Sequence, residues 1–483
     1  MSWPILLGTA ALAVASLFAC GHALLRKRDP RAAWGWIVGV LLLPGFGALL
    51  YFLFGVNRVE TRAHQLRPPR HTLGRGVGLD HLRDARHQRP RGHEKPAVPG
   101  RFAQLARTTD IITRRALLDG NLLQPLFNGE EAYPAMLAAI AGAQRSVLLA
   151  SYIFDMDKVG EQFVAALVAA RQRGVRVCVL VDGYAELSLR RPCASRRMRK
   201  LGLEALRFHP PTLLPPSFHI NLRNHRKLLI VDGELGYTGG MNIGLRHMAQ
   251  DPENPHPETD MHFELRGPVV QQLAEVFAED WRYAGGGDCP CPEQPAPEIE
   301  GGAICRVITD GPNEDLGQLT LVLLAALAAA RRRVRIMTPY FLPPRELVAA
   351  MEAAVLRGVH IQIILPSRSD LDKVRRAMRH ILPELIIRGM RIYYQPPPFA
   401  HGKLLIVDDR YVLLGSANLD PRSLRLNFEL MVEVYDRSFA VRMEQHFRGL
   451  RLRSKLQHAK ELQKRPLPSR LYDAFWWLFS PYL

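Results

Sequence analysis

His225-Arg226-Lys227-Leu228-Leu229-Ile230-Val231-Asp232 returns 176 positions later as His401-Gly402-Lys403-Leu404-Leu405-Ile406-Val407-Asp408. Each copy continues through an apolar stretch into a glycine-bearing loop ending in asparagine, Thr238-Gly239-Gly240-Met241-Asn242 and Gly415-Ser416-Ala417-Asn418. Upstream, Arg173-Gly174-Val175 opens an apolar run matched by Arg357-Gly358-Val359, and earlier still Tyr152 and Tyr340 each close an apolar run. The offset shrinks from 188 at the tyrosines to 184 at the glycines and 176 at the histidines, so the first copy carries 12 extra residues before its motif. Fixed-order self-similarity of this kind marks a duplicated structural unit. Within each copy the order is strand, helix-period run, helix-ending glycine, strand, which is a βαβ crossover and places the two strands parallel in a helix-covered sheet.

Spacing within the motif carries the chemistry. Residues i and i+2 of an extended strand face the same side, so His225 with Lys227, and His401 with Lys403, each present an imidazole and an ammonium together. Displacement at a phosphodiester needs an attacking group, a proton donor for the leaving oxygen and cationic or N–H groups for the non-bridging oxygens. Two copies supply the whole set, with one neutral histidine forming a phosphohistidine and the other serving as acid and then base. Neither a metal nor a cofactor is required. Asp232 and Asp408 complete the motif, but their odd spacing and the Asp-Gly turn at Asp232 point to an orienting or structural role.

Composition narrows the partner. Lys and Arg number 64 against 46 Asp and Glu, a net charge of +18 that favours a polyanion, whether anionic lipid or nucleic acid. Six cysteines without a CxxC pair suit a reducing compartment. Residues 5–25 and 33–56 lack formal charge and are each long enough to cross a hydrocarbon core of about 30 Å as a helix. The connector Arg26-Lys27-Arg28-Asp29-Pro30-Arg31 is so short that the expected arrangement is a hairpin with everything after it on the side of Met1. Four basic residues in the connector against five over 58–75 leave the orientation undecided by charge; the cytoplasmic side is preferred. Residues 62–101 carry ten Lys/Arg against three acids without apolar periodicity and read as a basic tether.

The twin H-x-K-x(4)-D motifs with their Gly/Ser loops resemble the signature of the phospholipase D superfamily. The strings Asn224-His225-Arg226-Lys227, Thr338-Pro339-Tyr340-Phe341, Gly415-Ser416-Ala417-Asn418-Leu419-Asp420-Pro421-Arg422-Ser423 and Asn427-Phe428-Glu429 are similar to bacterial cardiolipin synthases in particular, as is the paired apolar amino terminus. That resemblance implies an α/β fold of two pseudo-twofold-related α/β/α halves whose motifs meet at one site, preceded by a two-helix transmembrane hairpin. It implies phosphatidyl transfer between two phosphatidylglycerol molecules through a phosphatidyl-histidine, at the inner membrane, with no nucleic acid as partner. Water as acceptor would instead give a phospholipase D, and a membrane-tethered nuclease of the same superfamily would use the same charge. By resemblance, His225 is the nucleophile and His401 the general acid and base. Lys227, Lys403, Asn242, Asn418 and Ser416 sit around the phosphate, and Asp260 and Glu429 orient the imidazoles.

The expected division is a transmembrane hairpin over 1–58, a basic linker over 59–105, halves over 106–290 and 291–450, and an amphipathic tail over 451–483. The aromatic-rich stretch 470–483 is too short to span a bilayer, and either lies in the interface or docks on the domain. Residues 247–257 have no counterpart after the second motif.

Overall fold

The computed structural model describes residues 3–27, 30–55, 98, 100–187, 193–210, 222–292, 295–311 and 317–481, and divides into two compact units, Met1–His71 and Thr72–Leu483. Most of the expected basic linker, residues 59–97 and 99, lies outside the described residues, as do residues 56–58 at the end of the expected hairpin.

In the first unit the helix Trp3–Arg26 contains an apolar segment, Leu7–Arg26, and is the one helix among the described residues long and apolar enough to cross a membrane. The second apolar run differs from the continuous helix expected over 33–56. It forms a helix Pro30–Leu42, breaks, and resumes as Phe46–Leu50 and a π-helical turn Tyr51–Gly55. The break follows from Pro44, which lacks an N–H and disfavours helical backbone at Leu43, and from Gly45, whose φ of 83° suits glycine. Ala19 and Ala23 of the first helix bury against Val40, Ala48 and Tyr51, and His22 Nδ1 lies 2.7 Å from the Tyr51 hydroxyl.

The second unit is built on strands β1 (Leu118–Phe127), β2 (Ser146–Ser151), β3 (Arg176–Asp182), β4 (Glu204–Phe208), β5 (Leu228–Val231), β6 (Leu235–Gly239), β7 (Glu258–Thr259) and β8 (Met261–Arg266). The second half adds β9 (Ala303–Asp310), β10 (Arg333–Met337), β11 (His360–Pro366), β12 (Arg391–Gln395), β13 (Phe399–Ala400), β14 (Leu404–Val407), β15 (Tyr411–Gly415), β16 (Glu429–Tyr435) and β17 (Lys455–Leu456). Fifteen of them form one sheet in the order β17-β12-β11-β10-β14-β15-β16-β9-β1-β8-β6-β5-β2-β3-β4. Apart from the edge strand β17, the order is palindromic about the antiparallel β9–β1 pair, so the duplication read in the sequence becomes a pseudo-twofold relation with a single sheet running through both halves.

Within each half the expected crossover is present. Strands β2 and β3 are parallel and joined through the helix Lys158–Gln172, and β10 and β11 are parallel and joined through Arg345–Leu356. Asp157 caps the first of these helices by accepting from the amides of Val159 and Gly160. The motif strands β5 and β14 are buried along their whole Leu-Leu-Ile-Val lengths, as central strands covered on both faces must be. One sheet face packs a core common to both halves under the helices Val269–Tyr283 and Arg437–Arg453. The opposite face carries a separate core in each half. The helix Phe102–Thr113 packs Phe102 and Leu105 into the second half's core, stacking Phe102 on Tyr411.

Candidate active site

Each motif histidine sits just before its buried strand, where the backbone crosses to the other half. The His225 amide donates to Phe428 O at 2.9 Å, and the Phe428 amide donates to Arg223 O at 2.8 Å. On the other side β13 pairs with β7 in a short parallel ladder, and the His401 amide donates to Thr259 O at 2.7 Å. Each histidine is therefore stitched to the strand entry that carries the opposite half's carboxylate. His225 Nδ1 lies 3.0 Å from Glu429 Oε2, and His401 Nδ1 lies 2.8 Å from Asp260 Oδ2.

The loop glycines make this approach physically available. Gly239 and Gly415 adopt φ of 152° and 149°, and a Cβ there would lie 2.6 Å from Met261 O and 2.2 Å from Leu430 O, respectively. Any side chain would push away the strand that presents Asp260 or Glu429. Glu429 is further fixed by Ser416 Oγ at 2.5 Å and Asn427 Nδ2 at 3.1 Å. Asp260 instead accepts the Met261 amide at 2.7 Å, with Gly240 in the place that Ser416 holds in the other half.

Electrostatics follow from burial. Burial lowers the His225 imidazole to about 4 despite Glu429 beside it, and burial followed by the Lys403 charge lowers His401. Burial also lowers Lys227 to about 7 and Lys403 to about 8, each ammonium feeling both carboxylates. Burial pushes Asp260 and Glu429 upward, but the histidine and lysine partners outweigh it and hold both carboxylates below their ordinary values. An ionised carboxylate only accepts, so each Nδ1 carries the proton and the lone pair of the neutral ring lies on Nε2. Lys227 Nζ donates to His225 O at 2.7 Å and Lys403 Nζ to His401 O at 2.5 Å, which fixes each ammonium beside its own histidine.

The remaining residues expected at the site separate by location. Asp232 accepts the amides of Gln144, Arg145 and Ser146 at 2.7 to 2.9 Å, and Asp408 accepts those of Arg331, Arg332 and Arg333 at 2.8 to 3.1 Å. Both adopt positive φ at the far end of their strands, where they tie the turn leading into β2 or β10. They are thus held on backbone rather than brought to the histidines. Asn242 Oδ1 accepts the Ile153 amide at 3.1 Å, whereas Asn418 Oδ1 is buried without a hydrogen-bond partner among the described residues.

The two sides of the site differ in ways the motifs do not announce. On the His225 side, Tyr152 packs edge-on to the imidazole with ring centroids 5.1 Å apart and meets Arg223 Nη1 at 3.3 Å. Arg223 also lies over Tyr184 and exerts the charge that, after burial, lowers Arg422 most. On the His401 side, the fully buried His247 has its ring 6.3 Å from His401 and accepts the Asn242 amide at 3.1 Å. Glu258, raised to about 7 by burial, lies 3.8 Å from His247 Nδ1 and 3.7 Å from Arg246. His247 begins the unmatched loop 247–257, so no repeat pointed to it.

Two histidine–lysine pairs, each histidine held by a carboxylate of the opposite half, give the arrangement of a phosphodiester transferase of the phospholipase D class. Residues 136–281 and 323–451 match the family described as "Cardiolipin synthase, PLD-like domain", and residues 14–55 match "Phospholipase_D-nuclease N-terminal". The chain belongs to the PLD-like cardiolipin synthase family. It is 34% identical over 423 residues to cardiolipin synthase A of Pseudomonas aeruginosa (strain LESB58), covering 88% of this chain and 85% of that one. With cardiolipin synthase A of Pseudomonas entomophila (strain L48) it shares 32% identity over 449 residues, 92% and 90% of the two chains. The crystal structure of a phosphatidylserine synthase from Haemophilus influenzae Rd KW20 superposes with a TM-score of 0.60 at 16% identity, covering 79% of this chain and all of that one, and shares its fold.

Proposed function

We propose that this chain is a cardiolipin synthase that joins two phosphatidylglycerol molecules. The reading rests on the exchanged histidine–carboxylate pairs, which leave two Nε2 atoms for one phosphodiester. In the first step His225 Nε2 bonds phosphorus, the P–O bond to glycerol breaks, and the leaving oxygen takes the Nε2 proton of His401, which enters the step as the imidazolium beside Asp260 and leaves it neutral. In the second step His401 Nε2 removes the proton from a hydroxyl of the second phosphatidylglycerol, whose oxygen bonds phosphorus as the P–N bond breaks. The products are cardiolipin and glycerol. Lys227 and Lys403, with Asn242 and Asn418, hold the non-bridging oxygens, and Glu429 supports the cationic imidazole that forms when His225 is phosphorylated.

Both apolar runs of the first unit enter the membrane, the second as a broken leg, and the larger unit faces the cytoplasm. The six unpaired cysteines suit that reducing side. Mass spectrometry of lipids after incubation with phosphatidylglycerol in mixed micelles tests the activity, with His225→Ala as control. Cardiolipin and glycerol from the unsubstituted chain alone are expected. Phosphatidic acid without cardiolipin would replace transfer with hydrolysis.

A further inference from the structure

The helix Leu467–Trp477 is built inside out for a helix facing water. A surface helix normally turns its charges outward and its apolar stripe inward. Here Asp473, 1% exposed, points inward and is held by Arg465 Nη1 at 2.5 Å and Arg376 Nη1 at 3.5 Å. Leu467, Leu471 and Leu478, at 63%, 61% and 66% exposure, face out together with Phe475 and Phe479. The ion pairs fix the rotation of the helix, aided by Lys373 over Trp476 at 4.8 Å and Arg376 over Tyr472 at 4.5 Å. The stripe is therefore held outward by anchored contacts.

Beside it, a cleft of about 430 Å³ opens against the helix Asp372–Ile387, and its lining includes Arg379, Arg388, Arg465 and Arg470 with Glu384 and Asp473. Residues 372–387 and 459–477 together hold eight Lys/Arg and four Asp/Glu. An apolar, aromatic-bearing stripe beside a basic cleft has the chemistry of a bilayer interface with anionic headgroups. Pairing with a second copy across a twofold axis would bring the same arginines against one another.

We propose that this helix is a membrane-surface docking element, its stripe sunk at the headgroup boundary of an anionic leaflet and the arginine cleft taking the headgroups. The test uses the full chain reconstituted in phosphatidylcholine–phosphatidylglycerol vesicles, with an environment-sensitive fluorophore on Leu471→Cys or Phe475→Cys. The unsubstituted chain, labelled in parallel, supplies the background from the six native cysteines. The expected result is severalfold stronger quenching by nitroxide-bearing lipid than by aqueous iodide, with lipid quenching reduced by Arg470→Glu. Dominant iodide quenching overturns the proposal, as does a disulfide-linked Leu471→Cys dimer that lipid nitroxide does not quench. Unchanged quenching with Arg470→Glu overturns the role of the cleft.

Discussion

Replacing Glu429 by Gln removes a charge and almost no volume, and it acts on a histidine of the other half. Glu429 is fully buried, meets His225 Nδ1 at 3.0 Å, and is itself held by Ser416 and Asn427. The His225 ring becomes cationic only when Nε2 bonds phosphorus, so the missing carboxylate charge weighs on the formation of the intermediate. A charge-assisted hydrogen bond contributes about 1.5–3 kcal/mol. At about 1.4 kcal/mol per tenfold, that loss slows the step by about 10- to 10²-fold. Asp260→Asn makes the matched change at His401. A phosphatidyl ester of nitrophenol separates the two, because its leaving group departs without a proton. Stopped-flow measurement of nitrophenol release should show a slowed burst for Glu429→Gln. For Asp260→Asn the burst should be nearly normal, followed by depressed turnover and accumulated phosphatidyl-enzyme. The opposite pattern, or equal loss of burst in both variants, would refute the assignment of His225 as nucleophile.

Asp232→Ala removes the acceptor for three backbone amides and should cost about 2–3 kcal/mol of stability in urea unfolding, with turnover per folded molecule nearly unchanged. Arg306 is fully buried between Glu433 and Asp110, so Arg306→Met should destabilise by about 3–5 kcal/mol through the carboxylate left behind, read in the same assay. Lys227 and Lys403 titrate in the folded chain at about 7 and about 8, below the ordinary lysine value of 10.5. The unfolded chain therefore binds more protons between those values and 10.5, and this pair makes stability rise with pH across that window. Thermal unfolding at several pH values checks the sign, and a bound phosphodiester anion, by keeping both lysines charged, should flatten the rise.

Much of this was legible in the chain because duplication repeats its signals. The apolar runs and the glycines after their helices implied the parallel pairing that β2 and β3, and β10 and β11, adopt, and the odd spacing of Asp232 and Asp408 with the Asp-Gly turn at Asp232 pointed to an orienting or structural role. Glu429 follows from the family resemblance, and Asp260 is its equivalent in the first copy. Their exchange between halves was not readable, since alignment compares a residue with its equivalent and carries no information on which neighbour it meets in space. His247 and Glu258 escaped because they lie at or beyond an unmatched loop, where a duplicated pattern has nothing to repeat. The break in the second apolar run has a different basis: charge-free length alone implies one continuous helix, whereas Pro44-Gly45 vetoes it locally.

The crossing of carboxylates also governs how the gene tolerates division. A fragment encoding either half alone would hold one imidazole and one carboxylate that do not belong to each other, since His225 answers to Glu429 and His401 to Asp260. Damage to Glu429 therefore disables the first half's histidine, and a lesion at Asp260 the second's. His225→Ala and Glu429→Gln strike the same functional pair although 204 residues separate them, whereas His225→Ala and Asp260→Asn, near neighbours in the gene, strike different ones.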